Sequence, residues 1–409
     1  MIGIDDVRAA RARIGDAVYR SPCARSEHFS RRCGATTYFK LENLQMTGSF
    51  KERGALNRLL TLQPEERRRG TITASAGNHA QAVAFHASRL GISSVVVMPK
   101  RTPLIKVANT RDMGGEVILH GDDFDAAYAR AREIEAERDL TFVHPFDDDL
   151  VIAGQGTIGL ELLDEVPDLD VVIVAIGGGG MISGIATAVK ALRPQVEVIG
   201  VQTVAVPSMI RSLESGTPTL VPPATTIADG IAVKRPGERT LEIVCRLVDD
   251  IVTVGEEEIA NAMLLLLERE KTVAEGAAAT TLAALVNGHV PRAAGKKVCM
   301  VLGGGNVDVN LLARVIERGL MKDQRLVRLD VKLQDRPGAL ANLLRLVAEA
   351  EANVLEVHHE RAFEGVSLGE VDVELTLETR GAEHAAEIVA QIEAAGLEIV
   401  ERPEEHRRR

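Results

Sequence analysis

Apolar residues recur every three or four positions near the N-terminus. Ile4, Val7, Ala10, Ile14 and Val18 form one stripe, which predicts a helix over residues 4–18. Further along, short continuous apolar runs alternate with longer amphipathic stretches. Ile92 to Met98 reads as a buried strand that Pro99 stops, and Gly115 to His120 reads as the next strand. Asp125 to Arg138 is a polar-faced helix rich in Ala and Glu. Asp170 to Ile176 is apolar without interruption after its first residue, the pattern of a strand covered on both faces. A helix from Met181 to Leu192 and a strand from Val196 to Gln202 follow, and Lys297 to Leu302 predicts a late central strand. Strand–helix–strand order with short connections predicts an α/β region of parallel sheets with right-handed crossovers.

The pattern changes past residue 320. Met321 to Arg325 is a short charged linker, and Leu326 to Gln334 alternates as a half-exposed strand does. Asp335 to Leu340 is a turn into a helix that runs to about Ala350. Asn353 to Glu360 and Val366 to Leu377 predict two strands, Ala382 to Ala395 a helix, and Leu397 to Glu401 a last strand. The order β-α-β-β-α-β is that of a split, ferredoxin-like α+β unit. Arg407 to Arg409 reads as a frayed tail.

Composition narrows the class. At 409 residues the chain exceeds what one hydrophobic core serves, so two or three domains are expected. Hydrophobic residues at 45% and charged residues at 26% describe a globular rather than a disordered chain. The net charge of -11 argues against a nucleic-acid partner, and no polybasic segment addresses a membrane surface. No apolar run approaches the ~20 residues that span a bilayer. The N-terminus carries acids early and lacks a signal-peptide core, so a cytoplasmic location is expected. Cys23, Cys33, Cys245 and Cys299 are scattered and are expected to be reduced and mostly buried.

Three segments carry candidate chemistry. Lys51 follows Phe50 in Gly48-Ser-Phe-Lys-Glu-Arg-Gly-Ala55. A lysine that forms a Schiff base needs surroundings that lower its pKa; on its own Lys51 reads first as a surface lysine, and the two further loops reverse that reading. Ser75-Ala-Gly-Asn-His-Ala-Gln81 follows a short strand, Thr71 to Thr73, and opens a helix. Its N–H groups suit a carboxylate, and Asn78 suits a phenolic oxygen; an ordinary helix cap is the other reading. Gly177 to Gly180 joins a strand to a helix. It fits neither a dinucleotide fingerprint nor a P-loop, which leaves a plain phosphate cradle or a tight turn. An amine, a polar turn and a phosphate cradle together are what a pyridoxal 5'-phosphate enzyme needs.

On these motifs the chain, over roughly residues 1–320, resembles the serine/threonine ammonia-lyases of the tryptophan-synthase-β-like pyridoxal phosphate fold. The resemblance implies two lobes with the cofactor between them, the smaller at roughly 70–145. It implies that Lys51 bonds the cofactor aldehyde, Phe50 stacks on the ring, Asn78 holds the ring hydroxyl, and Gly177, Gly178, Gly179 and Gly180 bind the phosphate. Ser75, Ala76 and Gly77 then take the substrate carboxylate. Thr226 to Arg235 runs beside the site, and Glu275-Gly276 lies near the ring edge. Two positions depart from the family pattern. Gly303 stands where a serine usually faces the pyridine nitrogen, and Ala76 stands where racemases carry an acid/base serine.

Residues 327–409, after a linker at 321–326, resemble an ACT-type regulatory domain through Leu333-x-Asp-Arg-Pro-Gly-x-Leu340. An amino-acid effector at Asp335, Pro337, Gly338 and Leu340 is what that implies, with a domain that only dimerises as the other reading. Dehydration and deamination of L-threonine, and of L-serine, is therefore expected, in a homodimer or homotetramer. Serine racemase, hydroxyaspartate dehydratase and a catalytically impaired amino-acid sensor are the alternatives. No metal site is expected: Asp147 to Asp149 reads first as an exposed acidic loop, neighbours His358 and His359 face opposite sides of a strand, and Gln202 and Ser208 carry no charge.

Overall fold

The computed structural model describes residues 2–360 and 369–400. The chain divides into two compact units, Met1–Asp308 and Val309–Arg409. Fourteen strands are described. In chain order they begin with β1 (Cys23–Ser26), β2 (Thr36–Lys40), β3 (Thr71–Ala74), β4 (Ser94–Met98) and β5 (Glu116–Leu119). Next come β6 (Thr141–Phe142), β7 (Val171–Ala175), β8 (Glu197–Thr203), β9 (Asp250–Val254) and β10 (Lys297–Val301). The last four are β11 (Leu326–Gln334), β12 (Asn353–Glu360), β13 (Glu370–Glu378) and β14 (Glu398–Ile399).

The first unit holds two sheets, ordered β1-β2-β10-β7-β8-β9 and β5-β4-β3-β6. Every pairing in them is parallel except β1 with β2, an antiparallel edge that the sequence pattern did not reveal. Both continuous apolar runs became interior strands: β4 and β7 are buried at every residue. Open parallel sheets place ligands beyond the carboxyl ends of their strands. Ser75 follows the end of β3, Gly177 lies just past β7, and Gly303 just past β10. Alternating β and α segments thus delivered these three loops to the strand ends where binding is built.

Two helix crossings set the spacing of the site. The lysine helix (Lys51–Leu60) packs on the helix Asp149–Glu165, which in turn packs on the helix Gly180–Leu192 after the glycine loop. A Cβ on Gly154 would lie 2.6 Å from both the Arg53 carbonyl oxygen and Gly54 Cα. One on Gly184 would lie 2.3 Å from the Ile152 carbonyl oxygen and 2.5 Å from Gly156 N. These backbones touch, and backbone cannot move aside as a flexible side chain can. Gly184→Ala is expected to cost about 1–3 kcal/mol of stability through overpacking, read as a lower urea midpoint.

The second unit adds a helix, Val309–Lys322, ahead of β11, helix Ala339–Glu349, β12, β13, helix Ala382–Ala394 and β14. Its sheet, β12-β13-β11-β14, is antiparallel throughout. Alternation along β11 puts Leu329, Val331 and Leu333 into a core with Leu343, Val347, Val373, Leu375 and Ile388. The linker expected at 321–326 falls inside the second unit. Met321 and Lys322 end a helix and Leu326 opens β11, leaving a three-residue turn. The expected tail Arg407–Arg409 lies outside the described residues.

The cysteines are free, but only Cys299 is buried; Cys23 and Cys33 are half-buried and Cys245 is exposed on the helix Glu238–Leu247. Among the described residues no helix is long and apolar enough to cross a membrane.

Candidate active site

A cavity of ≈ 810 Å³ in the first unit collects the motif residues. Phe50, Lys51, Ser75, Ala76, Gly77, Asn78, Gly177, Gly178, Gly179, Gly180 and Gly303 all line it. Asp229 to Arg235, Glu275 and Asn306 complete much of the wall. Two ion pairs cross the mouth between the two sheets' segments. Lys106 meets Asp229 at 2.9 Å, and Lys234 meets Asp125 and, at 3.5 Å, Asp123. Both are partly solvated, so each adds little to stability.

Lys51 opens its helix at the cavity wall. Its Nζ donates to the Pro145 carbonyl at 2.7 Å and lies 5.2 Å from the centroid of the Phe50 ring. Burial lowers its pKa to about 8, against a smaller upward pull from Glu275. A measurable fraction of the amine is therefore neutral near pH 7, as a nucleophile or base must be. The neighbouring His79 is a poor base: burial first, and then the charge of Lys51, hold its pKa at about 3. Its Nε2 donates to the Val143 carbonyl at 3.0 Å, which fixes the ring.

The helix after Ser75 begins at Asn78, so the N–H groups of residues 76–78 stand at a helix N-terminus beside the amine, while the Ser75 N–H donates to the Val97 carbonyl at 3.2 Å. Asn78 is held from both ends. Its Nδ2 donates to both oxygens of Glu275 at 3.0 Å, and its Oδ1 accepts from Asn306 Nδ2 at 2.9 Å. Asn306 also donates to the Thr47 carbonyl at 2.8 Å. Sequence reading placed Glu275 near the site without a task, and gave Asn306 none. The one local sign was Gly48: its φ is +73°, and a Cβ there would lie 2.5 Å from Asn306 Oδ1.

The glycine loop needs its glycines. Gly179 has φ +95°, a left-handed turn, and a Cβ on Gly178 would strike the Phe146 ring at 2.4 Å. Thr240 Oγ1 donates to the Gly178 carbonyl at 2.7 Å, which orients the loop. The amino end of the helix Gly180–Leu192 then faces the cavity with free N–H groups. At Gly303 the carbonyl accepts from Phe50 N at 2.9 Å. A Cβ there would come within 3.3 Å of Phe50 and 3.4 Å of Met181 Cε, so a thioether has moved into the space a side chain would use.

Of Asp147 to Asp149, expected as an exposed acidic loop, only Asp149 is exposed. Asp147 and Asp148 are half-buried helix caps. Asp148 accepts from Leu150 N and Val151 N at 2.9 Å, and Asp147 from Glu238 N and Thr240 N at 3.2 Å. Gln202 is likewise consumed: its Oε1 accepts from Met209 N and Ile210 N at 3.1 Å. The effector candidates lie in the second unit, three on the turn between β11 and the helix Ala339–Glu349 and Leu340 in that helix's first turn. Asp335, Pro337 and Gly338 are exposed, Leu340 is half-buried, and Gly338 has φ +89°.

A family model described as pyridoxal-phosphate dependent enzyme matches residues 14–304. The chain belongs to that family. A second model, described as ACT domain, matches residues 327–394. The pyridoxal-phosphate enzyme described here is similar along nearly its whole length to L-threonine ammonia-lyase of Thermotoga maritima. The two are 49% identical over 399 residues, 98% of this chain and 99% of that protein. It is also 51% identical over 391 residues to L-threonine ammonia-lyase of Geobacter sulfurreducens, 95% of this chain and 97% of that one. Among solved structures, the processed form of threonine deaminase isoform 2 from Solanum lycopersicum matches with a TM-score of 0.74 and 36% identity, covering 77% of this chain and 86% of that one. Maize serine racemase matches with the same TM-score, 0.74, at 34% identity, covering 79% and 99%.

The residues present fit pyridoxal phosphate. The amine is poised near neutrality, the glycine loop leaves a cradle that side chains would fill, and a carboxamide is fixed at the wall between them. The first supplies the covalent attachment, the second grips a dianion, and the third supplies a hydrogen bond to a ring substituent.

Proposed function

We infer that this chain is a pyridoxal-phosphate-dependent threonine ammonia-lyase. It converts L-threonine to 2-oxobutyrate and ammonia, and L-serine to pyruvate and ammonia. The observation that carries the reading is the half-buried Lys51 amine, lowered toward neutrality at the wall of the cavity. Identity of about half the residues with two L-threonine ammonia-lyases, over nearly full length, supports the substrate.

When bound, pyridoxal phosphate supplies an aldehyde for the amine and a ring that spreads the charge left by proton removal. Lys51 holds the cofactor at rest and, once the substrate amine has replaced it, takes the α-proton on its neutral Nζ. Ser75 offers its hydroxyl, and Ala76 and Gly77 their N–H groups, to the substrate carboxylate, and Gly177 to Gly180 hold the phosphate. Loss of the β-hydroxyl and addition of water to the product complete the balance: one water leaves, one is used, and ammonia departs.

Overall shape does not separate lyase from racemase, since threonine deaminase and serine racemase match equally well by TM-score. Ala76 separates them. Its methyl group cannot carry a proton to the second face of the α-carbon, so elimination outcompetes racemisation. Incubating the purified protein with L-serine and resolving the products on a chiral column tests this: pyruvate is expected, and D-serine as the main product would overturn the lyase reading. A protein that forms no 2-oxobutyrate from L-threonine would leave the sensor alternative standing.

The pH response follows from the amine. The neutral fraction of a group with pKa near 8 rises about tenfold from pH 7 to pH 9 and then levels. The rate of pyridoxal phosphate uptake by apo-protein is expected to follow that curve, since only neutral Lys51 attacks the aldehyde. An ordinary lysine would show no plateau below pH 10.

The second unit binds an amino-acid effector at the turn of Asp335, Pro337, Gly338 and Leu340, and the chain works as a homodimer or homotetramer. Support comes from the ACT match and from the left-handed Gly338, which opens the turn before the helix Ala339–Glu349. Titration of the full-length enzyme with amino acids, read as a change in the threonine half-saturation concentration, tests the effector site.

A further inference from the structure

One carboxyl group in the cavity wall has no part in the steps above. Glu275 is 7% exposed and precedes the helix Gly276–Val286. Its backbone N–H donates to the Gly304 carbonyl at 3.0 Å, and its side chain accepts from Asn78. Two glycines keep the space for it. A Cβ on Gly304 would lie 2.6 Å from Glu275 Oε1, and one on Gly230 would lie 3.3 Å from the same atom. The carboxyl group therefore sits in a slot built from two other loops.

Its effect on Asn78 is directional. An ionised carboxylate only accepts hydrogen bonds, so the Asn78 NH2 must face it. On the other side, Asn306 donates its own NH2, so the Asn78 oxygen must face Asn306. Turning the Asn78 carboxamide over would set oxygen against carboxylate and NH2 against NH2. A protonated Glu275 has an O–H donor as well, and that prohibition lapses. The surroundings put this change within reach of neutral pH. Burial raises the Glu275 pKa to about 7; Asn78 opposes it, Asp229 adds to it, and Lys106 and Lys51 oppose it.

We propose that Glu275 is a positioning residue that acts through Asn78, fixing which end of that carboxamide is presented to the cofactor, and that its grip tightens when it loses its proton. The proposal rests on the reading that the cavity binds pyridoxal phosphate beside Asn78. Glu275→Gln imitates the protonated form in size and neutrality. Binding of pyridoxal phosphate to apo-protein is measured at pH 6 and pH 8 for wild type and variant, and the same pair in an Asn78→Ala background separates the effect through Asn78 from the smaller one that the Glu275 charge has on Lys51. The ratio of dissociation constants, variant over wild type, is expected to lie near one at pH 6 and to reach about fivefold at pH 8, the gain of a charged over a neutral acceptor. In an Asn78→Ala background, the roughly fivefold effect of Glu275→Gln at pH 8 is expected to disappear, leaving only the smaller part that acts through Lys51.

Asn78→Ala alone tests the idea without touching Glu275: its dissociation constant relative to wild type should grow about fivefold from pH 6 to pH 8. A ratio that is the same at both pH values, or an equal loss from Glu275→Gln with and without Asn78, overturns the proposal. Wild-type apo-protein that takes up no pyridoxal phosphate overturns the lyase reading itself, a separate outcome.

Discussion

Lys51→Ala is expected to lower turnover of L-threonine by about 10³-fold or more, because one side chain holds the cofactor and also moves the α-proton. No other group takes over the second task. His79 lies beside the amine but stays neutral with a pKa of about 3, and Ala76 has no proton to exchange. The bound cofactor is expected to lose its covalent absorbance band, while the glycine loop still binds phosphate. In wild type, borohydride reduction followed by peptide mapping should label Lys51 alone. A variant that keeps its band, or its rate within tenfold, would move the attachment to another lysine.

Arg53→Ala is the substitution expected to cost most in stability, about 3–5 kcal/mol. Arg53 is 1% exposed and lies two residues after Lys51 on the same helix. Its guanidinium bonds Glu42 at 2.7 and 2.8 Å and Glu161 at 2.6 and 2.9 Å. Lys40, wholly buried, meets Glu161 at 2.7 Å and Glu165 at 2.9 Å. Burial drives the Glu42 pKa up, but the charge and hydrogen bonds of Arg53 outweigh it and hold the group below its usual range. The paired Glu42 thus adds stability above the unfolded carboxylate pKa, about 4.3, which is lost as the pH falls through its folded value. Without Arg53, burial wins and Glu42 is destabilising when ionised. The cost of Arg53→Ala should therefore be greatest at neutral pH and shrink below about pH 4. A pH-independent cost in urea denaturation would count against the charge pairing as its source.

The first effect belongs to the chemistry and the second to stability, yet both converge on one helix. Gly54 and Arg53 fasten it to the helix Asp149–Glu165, and that helix fastens to the one after the glycine loop through Gly156 and Gly184. The amine and the phosphate cradle are thereby held at a fixed separation by close-packed backbone and buried charge. Pre-set geometry of this kind is what lets binding energy be used for orientation rather than for ordering the site.

Local pattern carried much of this. The runs Ile92–Met98 and Asp170–Ile176 announced β4 and β7, because a strand covered on both faces has no polar position to show. Alternation announced β11, and glycine or proline marked the loops beyond. Lys51, Ser75 to Asn78 and Gly177 to Gly180 stood out for the same reason: each pairs a reactive or phosphate-binding group with backbone that only certain residues allow. The short strands β1 and β2 had no such pattern, and β1, at the sheet edge, runs against its neighbour. The helix Asp149–Glu165 escaped too. It is buried on nearly all sides, so its sequence lacks the polar face that reveals a helix.

The amino-acid order by itself determined most of the strand and helix segments, the parallel α/β class, and the loops able to bear an amine and a phosphate. These depend on periodicity and backbone freedom within a few residues. Only the tertiary structure decided that Glu275 meets Asn78 across 197 positions, that Arg53 meets Glu161 across 108, and that Met181 fills the space beside Gly303. Such contacts come from the packing of distant segments, where a carboxylate on a surface and one sealed in a cavity wall look identical along the chain. Burial, which turns the first into the second, is a property of the folded molecule alone.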